Sequence, residues 1–196
     1  GDQFHQIGLV RGGILLDHSA LLLEGGLLRG NVATNSISGL GGGMALIDSQ
    51  AVLTNAVGYG GPYAEVAIDA NRAWKGGAAF IFTNSSLFLH KGTMSSNAAA
   101  AYGGGIAAAN ASFEARESLL NQNEAGRHGG LAYAETNSWI YMGSCQVVSN
   151  SAGVDGGAVA VFDTSVQAAR TRFEGNRSGG RGGALSSMGP VQLFFY

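Results

Sequence analysis

Cysteine is almost missing from this chain. Cys145 is the single one in 196 residues, so no internal disulfide framework can form. That leaves the compartment open, because a long repetitive chain can be extracellular without disulfides. Prolines number only two, which excludes collagen and Pro-rich linkers. Charged residues make up 12 %, about half the usual ~25 %. The net charge is −2 with no basic run, so the groove of Lys and Arg that a nucleic acid needs is not encoded. Arg170, Arg172, Arg177 and Arg181 form a loose basic group without interleaved aromatics, and read as a solvated face. No apolar run approaches the ~20 residues of a membrane-spanning helix, so no direct membrane insertion is expected of this segment. No signal-peptide pattern is visible either. Gly1-Asp2-Gln3-Phe4 looks like an interior start and Phe194-Phe195-Tyr196 like an interrupted strand. The expectation is a single continuous segment over 1–196, cut from a longer chain.

The chemistry-bearing motifs are missing as well. His5, His18, His90 and His128 have no metal-ligand spacing with one another or with Cys145. There is no G-x-S-x-G, no tandem G-G-x-G-x-D and no Thr-x-Thr ladder. Gly103-Gly104-Gly105-Ile106 opens no helix and so is not a phosphate loop. No cofactor and no metal is expected.

What the chain does have is glycine and periodicity. Its 33 glycines are about 17 % of the residues, against roughly 7 % ordinarily. Gly-Gly pairs leading into apolar residues begin at Gly12, Gly42, Gly76, Gly104, Gly129, Gly156 and Gly182. An apolar-x-x-Asn mark ends at Asn31, Asn71, Asn97, Asn123, Asn150 and Asn176, with spacings of 40, 26, 26, 27 and 26. A serine opens a second apolar run at Ser19, Ser49, Ser86, Ser112, Ser138 and Ser165. Three columns agree on a period near 26.

The runs inside each repeat are too short for helices of ordinary length. In the sixth repeat they are Ala158–Phe162, Val166–Ala169 and Thr171–Phe173. Three short strands per turn, stacked turn on turn about 4.8 Å apart, predict an all-β, right-handed parallel β-helix of six to seven coils. In that fold the Gly-Gly step suits a corner with positive φ or close backbone approach. The asparagines suit an inward polar ladder, in which stacked side-chain amides satisfy one another and the bend. Cys145 falls in a column of small residues and reads as a packed core thiol.

The first coils are less regular. The stretch from Asn31 to Gly42 is longer than its counterparts, and residues 56–63 read as a protruding loop punctuated by Gly and Pro. Loops on a rigid solenoid are the usual place for binding, so Tyr59, Pro62 and Tyr63 are the candidate contact residues. Asp48, Glu135 and Asp163 all fall near the end of the first strand, with Glu135 and Asp163 on adjacent coils. A carboxylate pair there could share a proton or a cation, yet no Arg or Lys accompanies it. Sequons at Asn84 and Asn110 would be glycosylation sites if the source is eukaryotic, while Asn176, a third sequon, belongs to the ladder and should be buried.

Gly156-Gly157-Ala158-Val159 with Phe173-Glu174-Gly175-Asn176 resembles the repeats of the chlamydial polymorphic outer membrane proteins. Gly182–Leu185 fits the first half of that motif, Gly76–Ala79 fits it loosely, and Ile68, Met94, Leu120 and Val147 replace the Phe elsewhere. The resemblance implies a β-helical passenger of an autotransporter-type surface protein involved in adhesion. The expected function is therefore a non-enzymatic extracellular or cell-surface solenoid serving as scaffold or adhesin segment. Its partners would be other protein chains, or a receptor or glycan on a cell surface. The alternatives are a structural subunit of a surface filament or cell coat, with coils associating end to end, and a fragment of a polysaccharide-active enzyme.

Overall fold

The computed structural model describes residues 13–33, 39–55, 65–189 and 192–195. Among them every strand is parallel to its neighbours, and successive turns of the chain stack into four sheets. Sheet A stacks seven strands from Ile14–Asp17 to Leu185–Met188, and sheet B seven from Ala20–Glu24 to Gln192–Phe195. Sheet C holds six, from Gly26–Arg29 to Arg172–Glu174, and sheet D six, from Val32–Ala33 to Arg177–Ser178. The molecule is a parallel β-solenoid. The chain visits A, B, C and D in that order on each turn, and the three apolar runs of each repeat are the strands of A, B and C. The solenoid adds a fourth strand after the ladder Asn, beyond the three read from sequence. Its inward positions are mostly a single Ala, such as Ala125 or Ala152, which gives no visible apolar run.

Period-two alternation decides which side chains go inside. In the sheet B strand Ser86–His90, Leu87 and Leu89 are buried while Ser86, Phe88 and His90 face outward. Each inward column runs the length of the solenoid: Leu21, Ala51, Leu87, Phe113, Ile140 and Val166 stack in register in sheet B. Phe113 is fully buried, and its strand carries the small Ala115 at the next inward position. Large and small residues interleave in this way along the core.

A residue with left-handed backbone stands at each of the four corners. Asp48, Thr83, Asn110, Thr136 and Asp163 follow sheet A strands; Lys91, Glu117, Ser144 and Arg170 follow sheet B strands; Ala70, Ser96, Gln122 and Ser149 follow sheet C strands. Among the described residues, glycine recurs coil after coil at the corner from D to A, where Gly41, Gly76, Gly103, Gly129, Gly156 and Gly182 have φ near +65°. A Cβ on Gly129 would overlap the carbonyl oxygen of Ala132, which no side-chain motion can relieve. Positive φ alone is thus met by ordinary residues, at ~1–2 kcal/mol each, and the close approach selects glycine. In the triplets 41–43 and 103–105 the corner is the first glycine, so Gly42 and Gly104 of the sequence-derived column are each one position late.

The asparagines form one continuous ladder on the C-to-D corner. Asn71, Asn97, Asn123 and Asn150 are fully buried. In each, the backbone N–H and Nδ2 donate to Oδ1 of the next asparagine, at 3.0 Å for both bonds of Asn123 to Asn150. The Nδ2 also donates to a carbonyl of the preceding coil, Met94 in the case of Asn123. Asn31 donates to Asn71 in the same way, and Asn176 accepts from Asn150. Asn176, the last ladder asparagine among the described residues, is half-buried rather than buried.

A second, hydroxyl ladder lines the A-to-B corner. Ser19 N–H donates to Ser49 Oγ, Ser49 N–H to Ser85 Oγ, and Ala111 N–H to Ser138 Oγ. The inward column is therefore Ser19, Ser49, Ser85, Ala111, Ser138 and Thr164. Ser86, Ser112 and Ser165 are the next residues along, opening the strands of sheet B and facing outward. Cys145 belongs to a third column with Ser118 and Thr171. Its thiol lies 3.4 Å from the Ala115 and Gly143 carbonyls, and burial pushes its pKa up.

Candidate contact face

The ladders and columns account for the inward residues, so anything this chain binds meets the outward ones. On sheet B the central outward column reads Leu22, Val52, Phe88, Glu114, Tyr141, Gln167 and Phe194. Leu22 is 62 % exposed. The flanking outward columns add Trp139 on one side, and His90 and Arg116 on the other. Phe88 and His90 stack at 5.9 Å, and Trp139 and Tyr141 at 5.7 Å. Arg116 lies over the Tyr141 ring at 5.1 Å and is ion-paired with Glu114. A Cβ on Gly143 would come within 2.9 Å of Tyr141 Cε1 and Oη, so that glycine gives the tyrosine ring room to lie along its strand.

Sheet A presents a second outward column: Asp17, Ile47, Phe82, Ala109, Glu135, Phe162 and Met188. Phe82 and Phe162 are 42 % and 45 % exposed, and Ala109 and Glu135 interrupt the apolar stripe between them.

Ionisable and aromatic residues gather where sheet D turns into sheet A. Lys75, Tyr102, His128 and Asp155 occupy one column immediately before the corner glycines. Tyr102 covers the His128 ring at 5.7 Å with only 7° between the planes, and Lys75 lies over the Tyr102 ring at 5.2 Å. His128 Nδ1 is buried without a hydrogen bond, 3.6 Å from Asp155 Oδ2, while Asp155 Oδ1 accepts from the Arg181 N–H at 2.7 Å. Tyr133 packs on Tyr102 and donates its hydroxyl to Glu135 at 2.9 Å. Its phenol pKa is pushed well up, first by burial and then by the Glu135 carboxylate that holds its proton. The rings stack on one another here, and the arrangement ties four coils together.

The carboxylates grouped from sequence are not one column. Asp48 and Asp163 are corner residues aligned with Thr83, Asn110 and Thr136, whereas Glu135 pairs with Phe162, one position earlier. Glu135 is engaged by Tyr133 instead. Asn84 and Asn110 both lie exposed at the A-to-B corner with positive φ. Tyr59, Pro62 and Tyr63 fall outside the described residues. The described residues hold no group of three or more His, Cys, Asp or Glu placed to share a metal ion. Sequence reading missed the sheet B stripe, although its signal was present. Setting the runs that follow the corner hydroxyl in register brings Leu22, Val52, Phe88 and Tyr141 into one file.

The class defined by these features is a parallel β-solenoid with a sealed polar-laddered core and apolar or aromatic outward stripes. Residues 170–188 match the family model described as the Chlamydia polymorphic membrane protein (Chlamydia_PMP) repeat. The matched stretch contains both Phe173–Asn176 and Gly182–Leu185, so the resemblance read from those motifs holds over this repeat. Searches of curated proteins and of solved structures returned no significant match.

Proposed function

We propose that this chain is a non-enzymatic segment of an extracellular or cell-surface protein, a passenger-type solenoid that acts as a scaffold and presents a contact surface for adhesion. The single observation that carries this reading is the outward stripe of sheet B, from Leu22 through Phe88 and Tyr141. Its half-buried rings stand on inner strands of the sheet, each tied to a neighbour on both sides, and the core ladders do not require them. The repeat match supports a surface location, since its family is described as membrane proteins. Of the groups that an enzyme reading would recruit, Glu135 is engaged by Tyr133 and does not share a column with Asp163.

The test is a binding assay with the whole chain immobilised against cell surfaces and extracellular-matrix extracts. The double variant Phe88→Ala/Tyr141→Ala is expected to bind about tenfold more weakly, as loss of central aromatic anchors does, at an unchanged unfolding temperature. Equal binding by both forms would overturn the assignment of the face. Replacing residues 56–63 with a Gly-Ser linker tests the loop as a separate contact. Polysaccharide cleavage that disappears in Asp163→Ala would overturn the non-enzymatic reading.

A further inference from the structure

The sheet B face is more than apolar, and its composition across the strands narrows what it takes. The strand Ser86–His90 offers a ring pair, Phe88 with His90. The next strand, Ser112–Arg116, offers Glu114 and Arg116, which neutralise each other. The strand after that, Trp139–Gly143, offers a second ring pair, Trp139 with Tyr141. Beyond it, Ser165 and Gln167 offer a hydroxyl and an amide on the strand Ser165–Ala169. The two ring pairs are two strand spacings apart, roughly 10 Å. Polar groups able to donate and accept hydrogen bonds alternate with them along the solenoid axis.

We propose that this face binds a linear, uncharged polysaccharide lying across the strands of sheet B. The proposal rests on the contact-face reading above and adds the chemistry of its occupant. Three observations select that chemistry. Pyranose rings have apolar C–H faces and hydroxyl edges, which suit aromatic rings alternating with amide, hydroxyl and carboxylate groups. The face carries no uncommitted cation among its central columns: Arg116 is held by Glu114 and lies over Tyr141, and the nearby His90 lies 3.6 Å from Glu117. A polyanion would therefore find no counter-charge there. The ring pair of Phe88 and His90 is repeated by Trp139 and Tyr141 two strands further on, so a polymer spans both along the axis, whereas a compact small molecule would engage only one ring pair. Gly143 is the positioning residue: any side chain at 143 would displace the Tyr141 ring from its seat.

The experiment uses the intact chain carrying Trp74→Phe, so that Trp139 is the sole indole reporter. Hexasaccharides of β-glucan, mannan and xylan are the neutral probes, with heparin and polygalacturonate as anionic ones. At least one neutral probe is expected to give a saturable change in Trp139 fluorescence that is the same at about 50 and 500 mM salt. Tyr141→Ala is expected to weaken that binding about tenfold. Gly143→Leu should weaken it in the same direction, and Phe82→Ala on sheet A should leave it unchanged. Matching unfolding temperatures confirm that each variant is folded, and calorimetric titration of Phe88→Ala gives a readout independent of the indole. Binding of the anionic probes alone, or binding indifferent to Tyr141 and Phe88, overturns the proposal. So does silence with every neutral probe. If the probes are silent while Tyr141→Ala still abolishes cell-surface binding, the contact face stands and the glycan falls. If neither assay responds to Tyr141, both fall.

Discussion

Gly30 and Gly129 have the same backbone angle, φ +68°, yet only one of them is confined. A Cβ at Gly30 would meet nothing within 4 Å, whereas at Gly129 it would strike the backbone of Ala132. Gly30→Ala is expected to cost about 1 kcal/mol, the strain of a left-handed alanine. Gly129→Ala should cost about 2–4 kcal/mol, with overpacking added to that strain. Denaturant unfolding of the two variants measures the difference, and equal losses would refute the account of the corner. Tyr133 makes a second prediction at this scale. Its folded-state pKa is raised above the unfolded value, so the protonated phenol contributes stability that is complete below about pH 10 and is lost as pH rises beyond it. In an alkaline titration one phenolate should appear only with unfolding, and Tyr133→Phe should flatten the alkaline fall in stability. The sequence showed glycine wherever a corner was too tight for a Cβ. It could not show the other left-handed corners, because Asp48, Lys91, Ser96 and Thr136 carry no common side-chain signature.

The Asn ladder behaves as an element in its own right, built from one residue per coil. Removing an interior rung takes one hydrogen bond from each of three groups. In Asn123→Ala these are the Asn97 N–H, the Asn97 Nδ2 and the Met94 carbonyl. The Asn97 N–H is orphaned at ~1–3 kcal/mol, while Asn97 Nδ2 keeps its bond to the Ile68 carbonyl; with ~0.5–1.5 kcal/mol for each of the other two lost bonds, the variant is expected to lose about 4 kcal/mol, measured as a shift in urea midpoint. Asn176→Ala should lose much less, since water reaches the half-buried end of the ladder. Equal losses at the two positions would mean that the ladder is not the source of the stability. This element was legible in sequence because its apolar-x-x-Asn setting recurs at every rung and its spacing from Asn71 onward is 26 or 27 residues. The strands of sheet D were not, since Glu124–Ala125 and Ser151–Ala152 are two residues long and pair only through the stacking of whole coils. The contact face lay between these extremes. Phe88 and Tyr141 are plain in the sequence, but they become neighbours of Glu114 only once the strand register is known.

At the scale of the whole molecule, repeated interfaces make coils interchangeable. Excising Asn97–Gln122 joins Ser96 to Asn123 and keeps Met94-Ser95-Ser96 ahead of a ladder Asn. Every remaining strand then finds a partner in register. The shortened chain is expected to fold, with the same far-UV signature and a stability lower by roughly one nearest-neighbour interface. Excising only the first half of that stretch should prevent folding, since it would set strands of different sheets against each other. If the two deletions behave alike, stacking is not local. Hydrogen exchange should be slowest in the middle coils, where Leu87, Phe113 and Ile140 are fully covered, and faster where Leu28 and Phe173 are only half-buried. The ladder carries one more consequence. Each rung donates forward to the next Oδ1 and never backward to the previous one. The side-chain amide dipoles therefore point one way along the solenoid, and each hydrogen bond polarises the next. The rod is an arrow rather than a bar: reversing it would reverse a line of aligned dipoles, and nothing that meets its two ends sees the same field.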